Sequence, residues 1–325
     1  MFARDQYELL DFGAGRRLER WAGMTLDRPC PAVAGLPQAA PALWPAADAR
    51  FNRGAGQQGA WTAQRSLPDR WTVARGPLTF ELKRCEFGQV GLFPEQAENW
   101  DWLSAELRRA DLPSSERPRR ECGTAAPGCV VGRAAEPDSE RSGTAASAIQ
   151  PSRVLNLFAY TGAATLSAAA AGAEVTHVDA AANVVAWARR NAELSGLAAA
   201  PVRWIAEDAQ RFVKRELRRG ARYDALILDP PSYGHGPRGE VWRLTKHLPA
   251  LLERCLALTA GRPRLLLLTC HTPGYDAARL ERMIAEAFGD APLPEIASGP
   301  LSLCTAAARP LPCGSYVRCT MREAV

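Results

Sequence analysis

Three aspartates and one cysteine stand at the ends of short apolar segments, where a folded chain can present them to a ligand. Asp179 ends EVTHVD, Asp208 follows VRWIAE, Asp229 ends YDALILD and Cys270 ends RLLLLTC. A carboxylate at the tip of a strand accepts hydrogen bonds from ribose hydroxyls or from the amino group of a base. A cysteine thiolate can instead add to a carbon atom of the substrate. These residue types predict a nucleoside-like ligand beside a reacting group.

The segment VLNLFAYTG has the pattern of a buried strand followed by a sharp turn. The strand is expected to end near Phe158, and the chain then turns through Tyr160 and Thr161 to a helix that begins after Gly162. A glycine permits close backbone approach, and the amides of a helix N-terminus can receive a carboxylate. An ordinary strand-to-helix turn explains the same letters, so both interpretations stay open.

The sequence Asp229-Pro230-Pro231 restricts the backbone directly after an apolar run. Two prolines remove two amide donors, and we expect their carbonyl groups to face outward beside the carboxylate. This arrangement predicts a receiver for the amino edge of a planar base. Asp179 and Asp208 also suit helix N-caps, and Cys270 suits a small buried residue, so these roles compete with the functional ones.

The elements that must position these residues alternate from residue 153 onward. Short apolar runs resemble strands buried on both faces, and helical patterns are predicted over 163–171, 181–195, 208–219 and 243–258. Such alternation predicts an α/β fold with a mostly parallel sheet flanked by helices. Ligands of such sheets bind at the carboxyl ends of the strands, where the candidate residues lie.

The chain divides into three parts by composition. Residues 1–108 predict a small, mainly β module with a helical lead-in, with Gly13 and Gly15 in a hairpin turn and 52–64 as a mobile loop. Residues 112–150 lack periodicity and are rich in Ser, Pro, Gly and Ala, which is typical of a linker or insertion. Residues 151–325 form the predicted catalytic domain.

Composition excludes several classes of protein. Apolar residues make up 47% of the 325 residues, enough for a packed core, yet no run reaches the roughly 20 apolar residues of a membrane span. The nine cysteines form no CxxC pair and the four histidines are dispersed, so no metal site is expected.

His235 and His271 lie near the expected mouth of the site and are interpreted as surface or capping residues. The formal charge of +5 is compatible with a nucleic-acid partner. We predict a cytoplasmic protein.

Taken together, these motifs resemble those of the class I S-adenosylmethionine-dependent methyltransferases. More narrowly, the chain resembles the bacterial 23S rRNA methyltransferase family whose best-known member modifies carbon 5 of cytosine. It rests on four segments: GLFPEQAENWDW, NLFAYTG, HVDAA and DPPSYGHGPRGEVW. It implies a Rossmann-like fold with a seven-stranded sheet, S-adenosylmethionine as methyl donor and rRNA as substrate.

The resemblance also implies which residues act in catalysis and in donor binding. The implied catalytic residues are Asp229 and Cys270, with Cys270 as the nucleophile that activates cytosine. Contact with the donor falls on residues of the turn, of the strand ends and of the segment that folds over the donor: Asn156, Phe158, Tyr160, Thr161, Gly162, Asp179, Asp208, Asp229, Pro230, Gln96 and Asn99.

Three alternatives remain beside this interpretation. If Cys270 is inert, Asp229 and the proline carbonyls would orient an exocyclic amine, with guanine in rRNA as the expected base. A second alternative is a non-catalytic RNA-binding protein that retains the methyltransferase fold. A nicotinamide-dependent dehydrogenase would carry G-x-G-x-x-G after the first strand, and this chain has Ala159-Tyr160-Thr161-Gly162-Ala163 instead.

Overall fold

The amino-terminal part of the chain forms a five-stranded sheet. The computed structural model describes residues 2–54, 58–110 and 151–321, and the predicted linker at 112–150 lies outside them. Neighbouring strands pair antiparallel except the third and fourth, which are parallel. In the order of the sheet the strands are β1 (Tyr7–Gly13), β2 (Arg16–Trp21), β3 (Met24–Pro29), β4 (Ala49–Arg53) and β5 (Gly59–Ala63).

The predicted turn at Gly13 and Gly15 joins β1 to β2. Gly13 has a φ of +151°, and a β-carbon there would lie 2.4 Å from the carbonyl oxygen of Pro37, so only glycine fits. The interpretation of 52–64 as a mobile loop was wrong for most of the segment, because β4 and β5 pair from Ala49 to Ala63. Their alternate residues face solvent, which makes the segment polar and loop-like in sequence.

A second hairpin and a helix connect this sheet to the rest of the chain. Strands β6 (Arg70–Arg75) and β7 (Leu78–Lys83) pair around a two-residue turn at Gly76 and Pro77. A 3-10 turn at Pro94–Gln96 then leads into helix α1 (Ala97–Ala110). Leu103 and Leu107 of α1 are buried among the strands of the large sheet.

The carboxy-terminal part is a seven-stranded sheet with helices between its strands. From edge to edge its strands are β10 (Val202–Ala206), β9 (Glu174–Asp179), β8 (Arg153–Leu157), β11 (Ala225–Leu228), β14 (Leu265–Cys270), β16 (Pro310–Thr320) and β15 (Glu295–Cys304). The helices are α2 (Ala163–Ala169), α3 (Ala182–Leu194), α4 (Ala209–Arg218), α5 (Leu244–Ala257) and α6 (Ala277–Phe288). The first five strands of that order are parallel, whereas β16 is antiparallel to both neighbours. The predicted fold class is confirmed.

One short element was not expected from the sequence. Strands β12 (Tyr233–His235) and β13 (Val241–Arg243) form an antiparallel hairpin between β11 and α5. We call residues 233–243 the site hairpin, because it begins two residues after Pro231 at the carboxyl end of β11.

The hydrophobic core is shared between the two sheets. Trp21, Phe80 and Trp100 from the amino-terminal part pack in one cluster with Leu166 of α2 and Ala192 of α3. Each fully buried side chain of this kind stabilises the fold by about 1.5–3 kcal/mol. Among the described residues, no helix is long and apolar enough to cross a bilayer, and no cluster of His, Cys, Asp and Glu has the arrangement of a metal site.

Candidate active site

Two adjoining spaces open at the carboxyl ends of the parallel strands. The larger, which we call the main cavity, has a volume of about 450 Å³, and the smaller, the narrow cleft, has about 60 Å³. Phe93, Phe158, Tyr160 and Asp229 line both, so the two spaces belong to one site. The main cavity lies within the range of roughly 300–1,000 Å³ that small-molecule sites occupy.

All the predicted site residues except Asn99 and Cys270 line this site. Those at the main cavity alone come from strand ends: Asp179, Asp208 and Pro230. Those at the narrow cleft alone come from β8, the turn after it and the 3-10 turn: Asn156, Thr161, Gly162 and Gln96. The predicted residues that line both spaces are Phe158, Tyr160 and Asp229.

The turn after β8 is held in an unusual backbone conformation. Phe158, Tyr160 and Gly162 have φ values of +57°, +48° and +90°. Left-handed conformations cost free energy for residues other than glycine, and they persist where the surroundings hold them. A β-carbon at Gly162 would lie 3.0 Å from that of Ala188 on α3, so this glycine is also needed for helix packing.

Asp179 holds this turn in place. Its carboxylate accepts hydrogen bonds from the backbone amides of Tyr160 at 2.9 Å and Ala181 at 3.0 Å. Burial raises the pKa of Asp179 from its ordinary value. Asp208 combines its two predicted roles, since it accepts from the amide of Arg211 as the N-cap of α4 and also lines the main cavity.

Asp229 is held as an ionised acceptor at the wall of both spaces. Burial alone would raise its pKa, but the positive charge of His271 and neighbouring hydrogen bonds bring the pKa below its usual value. Its Oδ2 lies 3.4 Å from Nε2 of Gln96. Its Oδ1 is buried, accepts no hydrogen bond from any described residue, and lies 3.5 Å from Nε2 of His271. Asp229 thus lines both spaces with one oxygen near Gln96 and the other near the imidazole of His271.

His271 lines the main cavity while 31% of its side-chain surface stays exposed, as expected for a surface residue. Burial lowers its pKa, but the carboxylates of Asp229 and Glu95 outweigh burial and raise the pKa to about 9. Its Nδ1 donates to the carbonyl of Cys313 at 2.7 Å. Oε1 of Glu95 lies 3.9 Å from the same nitrogen. The protonated ring thus stands between two carboxylates and orients Asp229.

Asn99 supports the site without lining it. It is fully buried, and its Nδ2 donates to Oε1 of Gln96 at 2.7 Å. Its Oδ1 accepts from Nε of Arg318 at 2.8 Å. Because Arg318 can only donate, this contact fixes the orientation of both amides, so that the nitrogen of Gln96 faces Asp229. The predicted contact of Asn99 with the donor is replaced by a positioning role.

The structure places Cys270 away from both spaces. Its side chain is buried in the core with Leu266 and Leu268, whereas Thr269 faces the narrow cleft. Successive side chains of a strand point to opposite faces, so the sulfur points away from Asp229's side of the strand end. Burial raises the pKa of the Cys270 thiol, which lowers its thiolate fraction. This geometry does not support the predicted nucleophile.

The two proline carbonyls are not equally available. The indole Nε1 of Trp242 donates to the carbonyl oxygen of Pro231 at 2.7 Å, and Trp242 also packs against Phe158 with ring centroids 4.9 Å apart. The expectation that both carbonyls face a base was therefore wrong for Pro231. Phe93 and Trp242 are further wall residues that were not predicted from the sequence, because neither stands at the end of a parallel strand.

Comparison with known proteins agrees with this geometry. A family model described as S-adenosylmethionine-dependent methyltransferase matches residues 142–278. A solved SAM-dependent methyltransferase from Agrobacterium tumefaciens is 32% identical, and the alignment covers 98% of this chain and 91% of that one with a TM-score of 0.81. The chain belongs to the S-adenosylmethionine-dependent methyltransferases. The prediction of this donor and this enzyme class is thereby confirmed.

Curated relatives of this methyltransferase match over shorter stretches. Proteins named Ribosomal RNA large subunit methyltransferase K/L are 33% identical over 147 residues in Hahella chejuensis and 38% identical over 90 residues in Shewanella sp. (strain MR-4). These stretches make up 44% and 27% of the methyltransferase chain. They span only 20% and 13% of those relatives.

The site of this methyltransferase suits the methyl donor of the family. The carboxylates of Asp179, Asp208 and Asp229 are acceptors around a space of suitable volume. S-adenosylmethionine carries the matching donors, namely its ammonium group, its ribose hydroxyls and its adenine amino group.

Proposed function

We propose that this chain transfers a methyl group from S-adenosylmethionine to an exocyclic amine of a base in RNA, with guanine of ribosomal RNA as the target. The observation that carries the proposal is Asp229, an ionised carboxylate that lines both spaces of the site. An amine has N–H groups to offer such an oxygen, whereas carbon 5 of cytosine has none. The names of the ribosomal RNA relatives support RNA as the substrate class.

The donor would be held by residues from three strand ends. Asp179 would receive the ribose hydroxyls and Asp208 the adenine amino group, while the turn at 158–162 approaches the rest of the molecule. When bound, S-adenosylmethionine supplies a methyl group activated by its sulfonium charge.

The residues of this chain would then orient and stabilise the reacting amine. Asp229 accepts an N–H of the amine, which aligns the nitrogen lone pair with the methyl carbon. The nitrogen gains positive charge as its bond to the methyl carbon forms and the bond from that carbon to the donor sulfur breaks, and the carboxylate stabilises that charge in a partly buried site. Asp229 then takes the excess N–H proton, which leaves the neutral methylated amine and S-adenosylhomocysteine. His271 keeps Asp229 ionised and in place. This chemistry needs no covalent intermediate, in keeping with the burial of Cys270.

Nucleoside analysis tests this proposal. The enzyme is incubated with isotopically labelled S-adenosylmethionine and ribosomal RNA from cells that lack it, and the RNA is digested to nucleosides for mass spectrometry. We expect the label in guanosine methylated at its exocyclic amine. Asp229→Asn, which has the same shape without the charge, should lower the rate by about 10- to 100-fold, because a charged hydrogen bond is lost. Label in 5-methylcytidine would refute the amine as target, and no label in RNA would refute RNA as the substrate.

A further inference from the structure

The site hairpin has two faces of different character. Tyr233 pairs with Arg243 and His235 pairs with Val241, so these four side chains share one face, and all four are exposed. The opposite face carries Gly234 and the buried Trp242, whose indole closes the main cavity. The inner face belongs to the donor site, and of the four outer-face residues only His235 also lines the main cavity.

The outer face presents an aromatic ring that is already held in position. Tyr233 is 51% exposed, and Val241 beside it is 41% exposed. The ring of His235 meets that of Tyr233 edge-on at 5.1 Å, and its Nε2 lies 3.2 Å from the tyrosine hydroxyl. A ring fixed in this way loses little conformational entropy when another planar group stacks on it.

Three positively charged side chains lie on the hairpin or directly after it. Arg243 on the same face, Arg238 at the tip of the hairpin and Lys246 in the first turn of α5 are all exposed and form no ion pair within the described parts of the chain. The one carboxylate of the hairpin, Glu240, is engaged by Arg211 of α4 at 2.9 Å. An exposed aromatic ring among unpaired cations matches the chemistry of single-stranded nucleic acid, whose bases stack and whose phosphates carry negative charge.

We propose that the outer face of the site hairpin binds single-stranded RNA next to the target base, with a flanking base stacked on Tyr233 and phosphates on Arg238 and Arg243. The proposal rests on the proposed function, because it assigns the RNA-contacting surface of the same site. We call the exposed ring of Tyr233 the stacking platform. Only Ser232 separates Tyr233 from Pro231, so this platform is tied to the backbone that carries Asp229. Because the ring of His235 lies 5.1 Å from that of Tyr233 and also lines the main cavity, a base stacked on Tyr233 would have its neighbour beside the mouth of that cavity.

Binding measurements on purified variants test whether a base of the RNA stacks on Tyr233. Fluorescence anisotropy with labelled single-stranded oligoadenylate is measured for the wild type, Tyr233→Ala and Tyr233→Phe, and calorimetry measures S-adenosylmethionine affinity. Tyr233→Ala should weaken RNA binding by about 5- to 100-fold, the range for loss of one aromatic–base stack. Tyr233→Phe should bind nearly as the wild type does. Donor affinity should be unchanged, since Tyr233 itself lines neither the main cavity nor the narrow cleft.

Two further variants sharpen the result. Leu293→Ala removes a side chain that is 54% exposed, close to the exposure of Tyr233, but outside the hairpin, and should not change RNA binding. Arg243→Gln should reduce the slope of log affinity against log salt by about one, as expected for one lost phosphate contact.

The outcomes separate this proposal from the proposed function. A wild-type enzyme that methylates RNA, together with a Tyr233→Ala variant that binds and methylates it equally well, would refute the platform alone. An equal loss of donor affinity in Tyr233→Ala would show that the residue only supports the cavity, and would also refute it. A wild type that binds no RNA would refute both proposals.

Discussion

Asp179 illustrates how one side chain can both build a turn and bind a ligand. Its two oxygens already accept amides of Tyr160 and Ala181, and a ribose would use their remaining lone pairs. Asp179→Ala should weaken S-adenosylmethionine binding by about 1.5–3 kcal/mol, because charged hydrogen bonds are lost. Asp179→Asn keeps one acceptor and should lose less. Titration calorimetry with equal affinity for all three proteins would remove Asp179 from the donor site.

Cys270 is expected to act as a packing residue. Cys270→Ala should keep the methylation rate and lose about 1 kcal/mol of stability, as for a small buried deletion. Cys255 is the matched control, because it is also a free, fully buried cysteine of the same core cluster. The two alanine variants should behave alike in activity and in thermal unfolding. A folded Cys270→Ala protein without activity, or a covalent adduct between the wild type and 5-fluorocytosine RNA, would restore the nucleophile.

The ionisation of His271 should make the stability of the protein fall as the pH rises into the alkaline range. The carboxylates of Asp229 and Glu95 raise its pKa to about 9 from the ordinary value of 6.5 for histidine. Because the pKa of His271 is higher in the folded state than in the unfolded state, its protonated form stabilises the fold. This stabilisation is complete below about pH 6.5 and is lost as the pH rises through about 9. Thermal unfolding of His271→Gln should therefore show a smaller loss of stability over this interval than the wild type. His235→Gln, at an exposed histidine, is the control, and identical pH profiles for wild type and His271→Gln would contradict the assignment.

At the scale of elements, the sequence predicted what local patterns encode. EVTHVD was expected to be a strand and is β9, and the helix expected over 181–195 is Ala182–Leu194. The face of β14 on which the Cys270 side chain lies could not be predicted. LLLLTC is buried on both faces, and an apolar run without alternation does not reveal which residue faces the site. The contact of Trp242 with Pro231 is tertiary, and nothing in the spacing of GEVW encodes it.

The site hairpin gives a prediction at the same scale. Trp242→Ala should destabilise the protein by about 3–5 kcal/mol and weaken donor binding, because a large buried side chain of the cavity wall is lost. Trp242→Phe keeps the contact with Phe158 but cannot donate to Pro231, so it should retain most of the stability. Denaturant unfolding and donor titration measure both effects. Full donor affinity in a folded Trp242→Ala protein would show that the indole does not form the wall.

At the scale of the whole molecule, the amino-terminal module is joined to the donor site by buried hydrogen bonds. Asn191 of α3 accepts from the amide of Glu81 in β7 at 2.8 Å and donates to the carbonyl of Thr161 at 2.9 Å. The hydroxyl of Thr161 in turn donates to the carbonyl of Gly91 at 2.6 Å. Glu95, which contacts His271, also acts electrostatically on Arg17 of β2. The module thus supports the turn and the charges that the site uses.

This connection predicts that the protein unfolds as one unit. Asn191→Ala leaves two buried backbone groups without partners, which should cost about 2–4 kcal/mol and lower the temperature of a single calorimetric transition. Donor affinity should fall with it, because Thr161 loses its support. The neighbouring Arg190→Ala is the control, since Arg190 forms only an exposed ion pair with Glu193 and should change stability by less than about 0.5 kcal/mol. Two separate transitions, of which Asn191→Ala shifts only one, would mean that the module and the catalytic domain fold independently.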